Sequence, residues 1–187
     1  MPNLRPLRDI DQHEVIPFFG FSGPYPSNKG TPVKIVSGFY GDQTGPTSFG
    51  PVGATYTNFL SNRYGVQATV GPCTASGDNC IGFLLYDARE TDENGEKLIL
   101  HPDKAERMQA RPSGWAIPIV RRGLLQFSGA YASNVRGGES AYISNDGSTI
   151  TSTGSTTATG GFISTRVGRF LGPVDSQGYI FVHVDLN

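Results

Sequence analysis

The side chains best suited to catalysis are few in this sequence and far apart. Its three histidines are His13, His101 and His183, and no spacing brings any of them next to a nucleophile. A hydrolase needs a base within hydrogen-bonding reach of its nucleophile. The sequence also lacks a glycine-rich phosphate loop, a G-x-S-x-G turn, an H-E-x-x-H helix and a C-x-x-C pair. We therefore assign no catalytic residues, and we expect His183 to have a structural role.

The two cysteines, Cys73 and Cys80, are separated by six residues. Such a pair can close a small disulfide loop, or it can remain as two free thiols in a reducing compartment, and the sequence leaves both alternatives open. A metal site would need further cysteine or histidine ligands nearby, and the histidines are scattered. We expect neither a metal ion nor another cofactor.

Two adjacent arginines, Arg121 and Arg122, lie between two short apolar runs in the segment that starts at Trp115. An arginine pair can hold a phosphate or a carboxylate. We expect one of them to pair with an acidic residue of the same or a neighbouring subunit, while the other covers apolar surface with its stem. Together with Trp115 they are our candidates for contacts between subunits.

The segment 115–129 around these arginines predicts either one strand with a bulge or two strands that meet at a corner. Pro118 cannot donate to a ladder, so we expect it at an edge or among the first paired residues. The final strand, Tyr179 to Leu186, alternates apolar and partly polar residues and should bury one face. Ile81 to Tyr86 predicts a strong strand, and His101 to Ala110 predicts the one helix, with Pro102 in its first turn.

The composition favours an all-β domain. The 187 residues are enough for one core, and the 25 glycines and 13 prolines imply many turns. A formal net charge of −1 argues against general nucleic-acid binding. No apolar run approaches the roughly 20 residues that a membrane span needs, and no signal peptide is visible. We predict a small β-barrel or β-sandwich with one short helix and no nucleic-acid or membrane partner.

The first 28 residues are predicted to form an extended N-terminal arm, because four prolines between residues 2 and 24 prevent a long helix. Burial of the arm's apolar side chains does not clearly outweigh the entropy of ordering it, so the arm needs backbone pairing or a second chain. The alternatives are an N-terminal strand on its own domain and an arm on a neighbouring protein, which we favour. The predicted contact residues of this arm are Leu4, Leu7, Ile10, Val15, Ile16, Phe18, Phe19 and Phe21.

Residues 29–187 are predicted to form the β-barrel domain, with a loop-rich insertion at about 37–79. This insertion is rich in glycine, serine, threonine and proline but is too aromatic for a disordered linker. A second polar stretch, Ser144 to Gly160, contains ten serines or threonines in 17 residues. We expect it to be a mobile loop or a polar hairpin.

The order of several motifs resembles the decoration, or cement, proteins that coat the heads of tailed bacteriophages. The resemblance covers roughly the last 160 residues and is a pattern of short strands with no sharp motif. Its parts are GTPV at 30–33, IGFLLYDA at 81–88, WAIPIVRRGLLQFSG at 115–129, SAYISNDGSTIT at 140–151, VGRFLG at 167–172 and QGYIFVHVDL at 177–186. The steps Ile81-Gly82 and Val167-Gly168 also form a faint internal repeat.

The resemblance implies a structural protein on the outer surface of the virion capsid. Its expected partner is the major capsid protein, whose neighbouring subunits it would hold together, and it is expected to form a homo-oligomer, a trimer or a dimer. A different hypothesis is a carbohydrate- or receptor-binding β-module of a phage tail or fibre, in which Trp115 and the tyrosines of the 40–64 region stack on sugars. A small β-barrel enzyme is the least favoured hypothesis.

Overall fold

The computed structural model describes residues 3–37, 68–74, 78–128, 135–144, 150–152 and 165–186, and these form an all-β protein, as the composition predicts. One α-helix, α1 (Pro102–Arg107), and 3₁₀ turns at Gln12–Glu14 and Leu98–Leu100 accompany the strands within these ranges. Inside them, no helix is long and apolar enough to cross a membrane. The strands described are β1 (Asn3–Pro6), β2 (Val15–Phe21), β3 (Pro32–Ser37), β4 (Thr69–Pro72), β5 (Cys80–Leu84), β6 (Asp87–Ala88), β7 (Ala110–Arg111), β8 (Ala116–Val120), β9 (Arg122–Ser128), β10 (Ser140–Ile143), β11 (Ile150–Thr151), β12 (Arg166–Phe170) and β13 (Tyr179–Asp185).

Two main sheets organise these strands. The first is a closed barrel in the order β2-β4-β3-β5-β8, in which only the β2–β4 pair is parallel. The second is an antiparallel sheet in the order β1-β9-β13-β12-β10-β11. Closure of the barrel removes the free edges that a five-stranded sheet would otherwise expose. Strands β6 and β7 form a short parallel pair beside the barrel.

The chain passes from the barrel to the sheet at Arg121, between β8 and β9. The Arg121 N–H donates to Glu14 O at 2.9 Å, and Arg121 O accepts from the Leu186 N–H at 3.1 Å. Gly123 follows with φ of 139°, a backbone conformation that favours glycine. The two strands that meet at a corner are therefore the correct alternative for segment 115–129.

Pro118 lies in the interior of the barrel wall, so the prediction of an edge or terminal position is wrong. Its strand β8 runs between β2 and β5. The register with β2 shifts between Ile16 and Phe19, so Pro118 faces a bulge and no ladder bond is lost. Pro118 O still accepts from the Leu85 N–H at 3.0 Å.

The main core lies between the antiparallel sheet and the barrel. Strand β13 buries Ile180, Val182 and Val184, and Leu186 just after it is also buried, as the alternation predicts. Their cluster extends to Phe83 of the barrel, whose ring meets that of Phe127 edge-on at 5.2 Å. A second cluster fills the barrel itself around Val33, Val70 and Ile117. The two sheets thus share one continuous apolar contact.

The N-terminal segment is part of both sheets of its own chain, and this corrects the prediction of an extended arm that lies on a neighbouring protein. Strand β1 pairs with β9, and β2 closes the barrel between β4 and β8. The physical reason is the backbone pairing that such a segment needs, which strands of its own chain supply. A docked N-terminal strand is therefore the alternative that the structure supports, and β2 belongs with the strands of segment 29–187.

The predicted helix at 101–110 is shorter than expected. It ends at Arg107 because Gln109 adopts a positive φ of 51° and Ala110 pairs with Asp87 in the β6–β7 ladder. Pro102 occupies its first turn, as predicted.

Two polar segments lie partly outside the described residues. In the expected insertion at 37–79, residues 38–67 and 75–77 lie outside the described ranges, and Thr69–Pro72 is the barrel strand β4. In the 144–160 stretch, Ile150–Thr151 pairs with Tyr142 and Ile143, and because Ile143 and Ile150 are both buried, this short pairing belongs to the core. Residues 145–149 and 153–160 are outside the described ranges.

Candidate interaction surfaces

The eight apolar residues predicted as arm contacts divide into three groups. Leu4, Phe19 and Phe21 are buried in the cores of their own chain. Ile10, Val15 and Ile16 are half-buried. Only Leu7, 47% exposed, and Phe18, 64% exposed, present large apolar surfaces to solvent. A partner could therefore contact these two, whereas the buried three serve the fold.

Arg121 and Arg122 both have partners within the chain. The Arg121 guanidinium donates to Leu186 O at 3.2 Å, and Arg122 Nε donates to Asp185 Oδ1 at 2.8 Å. The expected ion pair with an acidic residue is thus present within the same subunit. The pKa of Asp185 is lowered, chiefly by its hydrogen bond from Arg122. Because the paired side chains are 52% and 42% exposed, this ion pair adds little stability.

Trp115 lies half-buried beside a cavity of about 480 Å³ that Pro17, Tyr86 and Pro118 also line. The Arg111 guanidinium sits 4.6 Å from the centre of the Tyr86 ring and 5.9 Å from that of Trp115. Arg111 also pairs with Glu106, and this hydrogen bond is the main cause that lowers the pKa of Glu106. One face of each ring is thus engaged by a cation. The tyrosines of the 40–64 region lie outside the described residues.

Cys73 and Cys80 are free thiols, both buried, so of the two alternatives the structure has the unbridged one. The pKa of Cys73 is raised well above its usual range by its hydrogen bond with Cys80 and by burial. Cys80 Sγ also donates to Gly82 O at 3.2 Å. Because the thiolate is the reactive form, this environment gives a packing role and no activated nucleophile.

Sequence reasoning missed the other exposed apolar side chains. On a regular strand Ile35 would share one face with Val33, yet Val33 is fully buried and Ile35 is 47% exposed. The register of β3 shifts between Val33 and Lys34 in its pairing with β5, and between Ile35 and Ser37 in its pairing with β4, so the regular alternation of its side chains is interrupted. No pattern in the sequence marks such a shift. The remaining exposed members are Val36, Ile99, Leu100 and Leu171.

Within the described part of the chain, no three histidine, cysteine, aspartate or glutamate side chains lie close enough together to hold a metal ion. His183 is exposed on β13, opposite Arg169 of β12.

Comparison of the chain with protein families, with curated proteins and with solved structures finds no match in any of the three.

Proposed function

We propose that this chain is a structural protein of a bacteriophage virion, which binds the outer surface of the head and cements neighbouring major capsid subunits. The first support is the resemblance in the sequence. Its motifs fall in order on β3, β5 to β6, β8 to β9, β10 to β11, β12 and β13, so they coincide with the strands that build the two sheets. The resemblance therefore concerns the scaffold of the protein.

The observation that carries the proposal is the rigid display of Phe18. This side chain is 64% exposed, although its neighbour Phe19 is buried in the barrel and the backbone on both sides belongs to β2. A fixed strand loses little further entropy when it binds, so more of the gain from covering the ring is kept. Complete burial of a phenylalanine side chain contributes about 1.5–3 kcal/mol.

Adhesion to a shell needs only modest affinity from each such contact. A capsid presents many identical sites, and a homo-oligomer of this chain would engage several of them at once. Dimers and trimers both give this advantage, provided that their geometry matches the spacing of the capsid subunits. The role requires no reaction, so neither a catalytic residue nor a cofactor enters the proposal.

The test is binding of the purified protein to expanded phage heads, followed by heating of the decorated heads. The wild-type protein should co-sediment with the heads and raise the temperature at which they release DNA. Leu7→Ser/Phe18→Ser should weaken binding, while Ile99→Ser/Leu100→Ser, which also removes two exposed apolar side chains, serves as the matched control. Deletion of residues 1–21 is unsuitable because it removes β1 and β2.

Failure of the wild-type protein to bind any head would refute the proposal. If the heads bind both double variants as well as the wild type, the capsid role stands but Leu7 and Phe18 have no part in it.

The second candidate, a carbohydrate- or receptor-binding module of a tail or fibre, is favoured by the cavity beside Trp115. The Trp115 and Tyr86 rings offer apolar faces on which a sugar could stack, and the Glu106 carboxylate beside them could accept hydrogen bonds from its hydroxyl groups. Against it, Arg111 already engages a face of both rings. A glycan array probed with wild-type protein and with Trp115→Ala distinguishes the two functions. Only the carbohydrate-binding function predicts a signal from the wild type that the substitution abolishes.

A further inference from the structure

A concave surface on the outward side of the antiparallel sheet, which we call the arginine groove, is the second feature suited to binding. It has a volume of about 610 Å³ and lies along β12 and β13, with the start of β5 at one end. Arg166, Arg169 and His183 supply its basic groups, while the half-buried Ile81 supplies apolar surface.

A bulge places both arginines on the same face. Residues three apart on a regular strand point to opposite sides of the sheet. In β12, however, Arg166 pairs with Tyr142 and Gly168 pairs with Ala141, so Val167 is the extra residue. Val167 and Gly168 are both buried, and Arg166 and Arg169 are both exposed. Bulges that redirect side chains in this way are common beside functional sites.

The floor between the two arginines is backbone. A Cβ atom at Gly168 would lie 2.0 Å from His183 O, so no larger residue fits there without a shift of the strands. His183 is the cross-strand neighbour of Arg169, which brings its imidazole to the same face. A ligand can therefore reach both guanidinium groups without an intervening side chain from Gly168.

The charge of the groove is not neutralised from within the described residues. Among them, no carboxylate forms an ion pair with Arg166 or Arg169. Asp185 is the one carboxylate among the described residues that line the groove, and its Oδ1 accepts from Arg122. The nearby Asp78 carboxylate pairs with Lys34 at 2.9 Å. Two guanidinium groups thus remain for an external anion.

We propose that the arginine groove binds a carboxylate-rich segment of the partner protein. Planar guanidinium groups match carboxylates through paired hydrogen bonds. The half-buried Ile81 side chain adds an apolar contact, which suits a peptide better than a sugar-phosphate backbone. A long polyanion interacts with charges over the whole molecule, so the formal net charge of −1 disfavours its binding. A short acidic segment in the groove interacts mainly with the nearby arginines, because more distant charges are screened by salt. The identity of the partner as the major capsid protein rests on the proposed function, but the chemistry of the groove does not.

The experiment measures binding of a synthetic glutamate-rich peptide by the full chain, with a single-stranded DNA of equal charge in parallel. Arg166→Gln/Arg169→Gln should weaken peptide binding at least about tenfold, because each charge-assisted hydrogen bond contributes more than a neutral one. Lys97→Gln/Arg107→Gln removes the same charge from exposed positions outside the groove and should change peptide binding less than about twofold.

Absence of peptide binding by the wild type overturns the inference, as does equal weakening in both double variants. Tighter, arginine-dependent binding of the DNA also overturns it and makes the groove a nucleic-acid site. Parallel sedimentation with phage heads separates the two proposals. Peptide binding without head binding refutes only the capsid function, whereas head binding that Arg166→Gln/Arg169→Gln leaves unchanged refutes only the groove as the capsid contact.

Discussion

Two glycines let neighbouring strands approach more closely than any side chain would permit. A Cβ atom at Gly168 would lie 2.0 Å from His183 O, and one at Gly82 would lie 2.6 Å from Val120 O. Both distances are far below ordinary contact, and both obstacles are backbone atoms that cannot rotate away. The repeated Ile81-Gly82 and Val167-Gly168 steps therefore share a physical cause, a close approach to a carbonyl group of the adjacent strand.

Gly168→Ala should lower the free energy of unfolding by about 1–3 kcal/mol or more, because strands β12 and β13 must separate to admit the methyl group. Gly172→Ala is the matched control, since nothing lies within 4 Å of a Cβ atom there. It should change stability by less than about 0.5 kcal/mol. Urea unfolding curves of the three proteins give the comparison, and equal midpoints for all three would contradict the crowding at Gly168.

Asp92 organises the loop before α1. Its Oδ1 accepts from the backbone N–H groups of Asn94 at 2.9 Å and Glu96 at 2.8 Å, and its Oδ2 accepts from Lys104. The side chain is only 3% exposed. These donors stabilise the charged form, and the hydrogen bond from Lys104 is the main cause that lowers the pKa of Asp92 below its usual 3.8.

This lowered pKa predicts a pH-dependent contribution to stability. The folded protein binds fewer protons at Asp92 than the unfolded chain does, so the contribution is fully present above pH 3.8 and is lost as the pH falls through the native pKa. Asp92→Asn should have a lower melting temperature than the wild type at neutral pH, and the two should converge in acid. Lys104→Gln, which removes the partner instead, should show the same convergence. A difference that stays constant from about pH 6 to about pH 2 would rule out this linkage.

At the scale of single elements, strand β1 has little helical or alternating apolar pattern in its sequence, yet it is held in the antiparallel sheet. Leu4 pairs with Phe127 across β1 and β9 and is 1% exposed, whereas Leu7, just beyond the strand, is 47% exposed. The Leu7 N–H still donates to Leu124 O at 3.0 Å. Backbone pairing and one buried leucine together hold the N-terminal residues to the sheet.

Leu4→Ala should therefore destabilise the protein by about 2–5 kcal/mol, the usual range for a buried leucine. Leu7→Ala removes the same atoms from a largely exposed site and should stay within about 0.5 kcal/mol of the wild type. Thermal unfolding followed by circular dichroism measures both. If both substitutions change the stability equally little, residues 3–6 detach from the sheet in solution, and the N-terminal segment is an arm after all.

The elements that the sequence predicts well are those whose signals are local. The alternation in β13 and the polar step at Arg121 each lie within a few residues, and both are found where expected. The place of β2 was missed because its parallel partner β4 lies about 50 residues further along the chain, and no short pattern encodes such a pairing. The arginine groove was missed for a related reason, since the bulge at Val167 appears only in the pairing with β10.

At the scale of the whole molecule, the barrel and the antiparallel sheet depend on a common core. Phe83 comes from the barrel strand β5, Phe127 comes from the sheet strand β9, and both are fully buried in the same cluster. Val120, at the end of the barrel strand β8, joins that cluster as well. Neither sheet can separate from the other without exposing these side chains, so we expect them to unfold together.

Phe83→Ala tests this coupling directly. Loss of the ring should cost about 3–5 kcal/mol, yet the unfolding should remain a single transition because the damage falls on both sheets at once. Trp115 is the one tryptophan of the chain and precedes β8, so its fluorescence reports on the barrel while circular dichroism reports on all the strands. The two signals should keep a common midpoint in the wild type and in Phe83→Ala, and Phe18→Ala, at an exposed phenylalanine, should leave that midpoint nearly unchanged. If the Trp115 fluorescence changes at a lower temperature than the circular dichroism of the remaining strands, the two sheets are separate cooperative units. Phe18, on the barrel, and the arginine groove, on the antiparallel sheet, would then not be held in a fixed arrangement relative to each other.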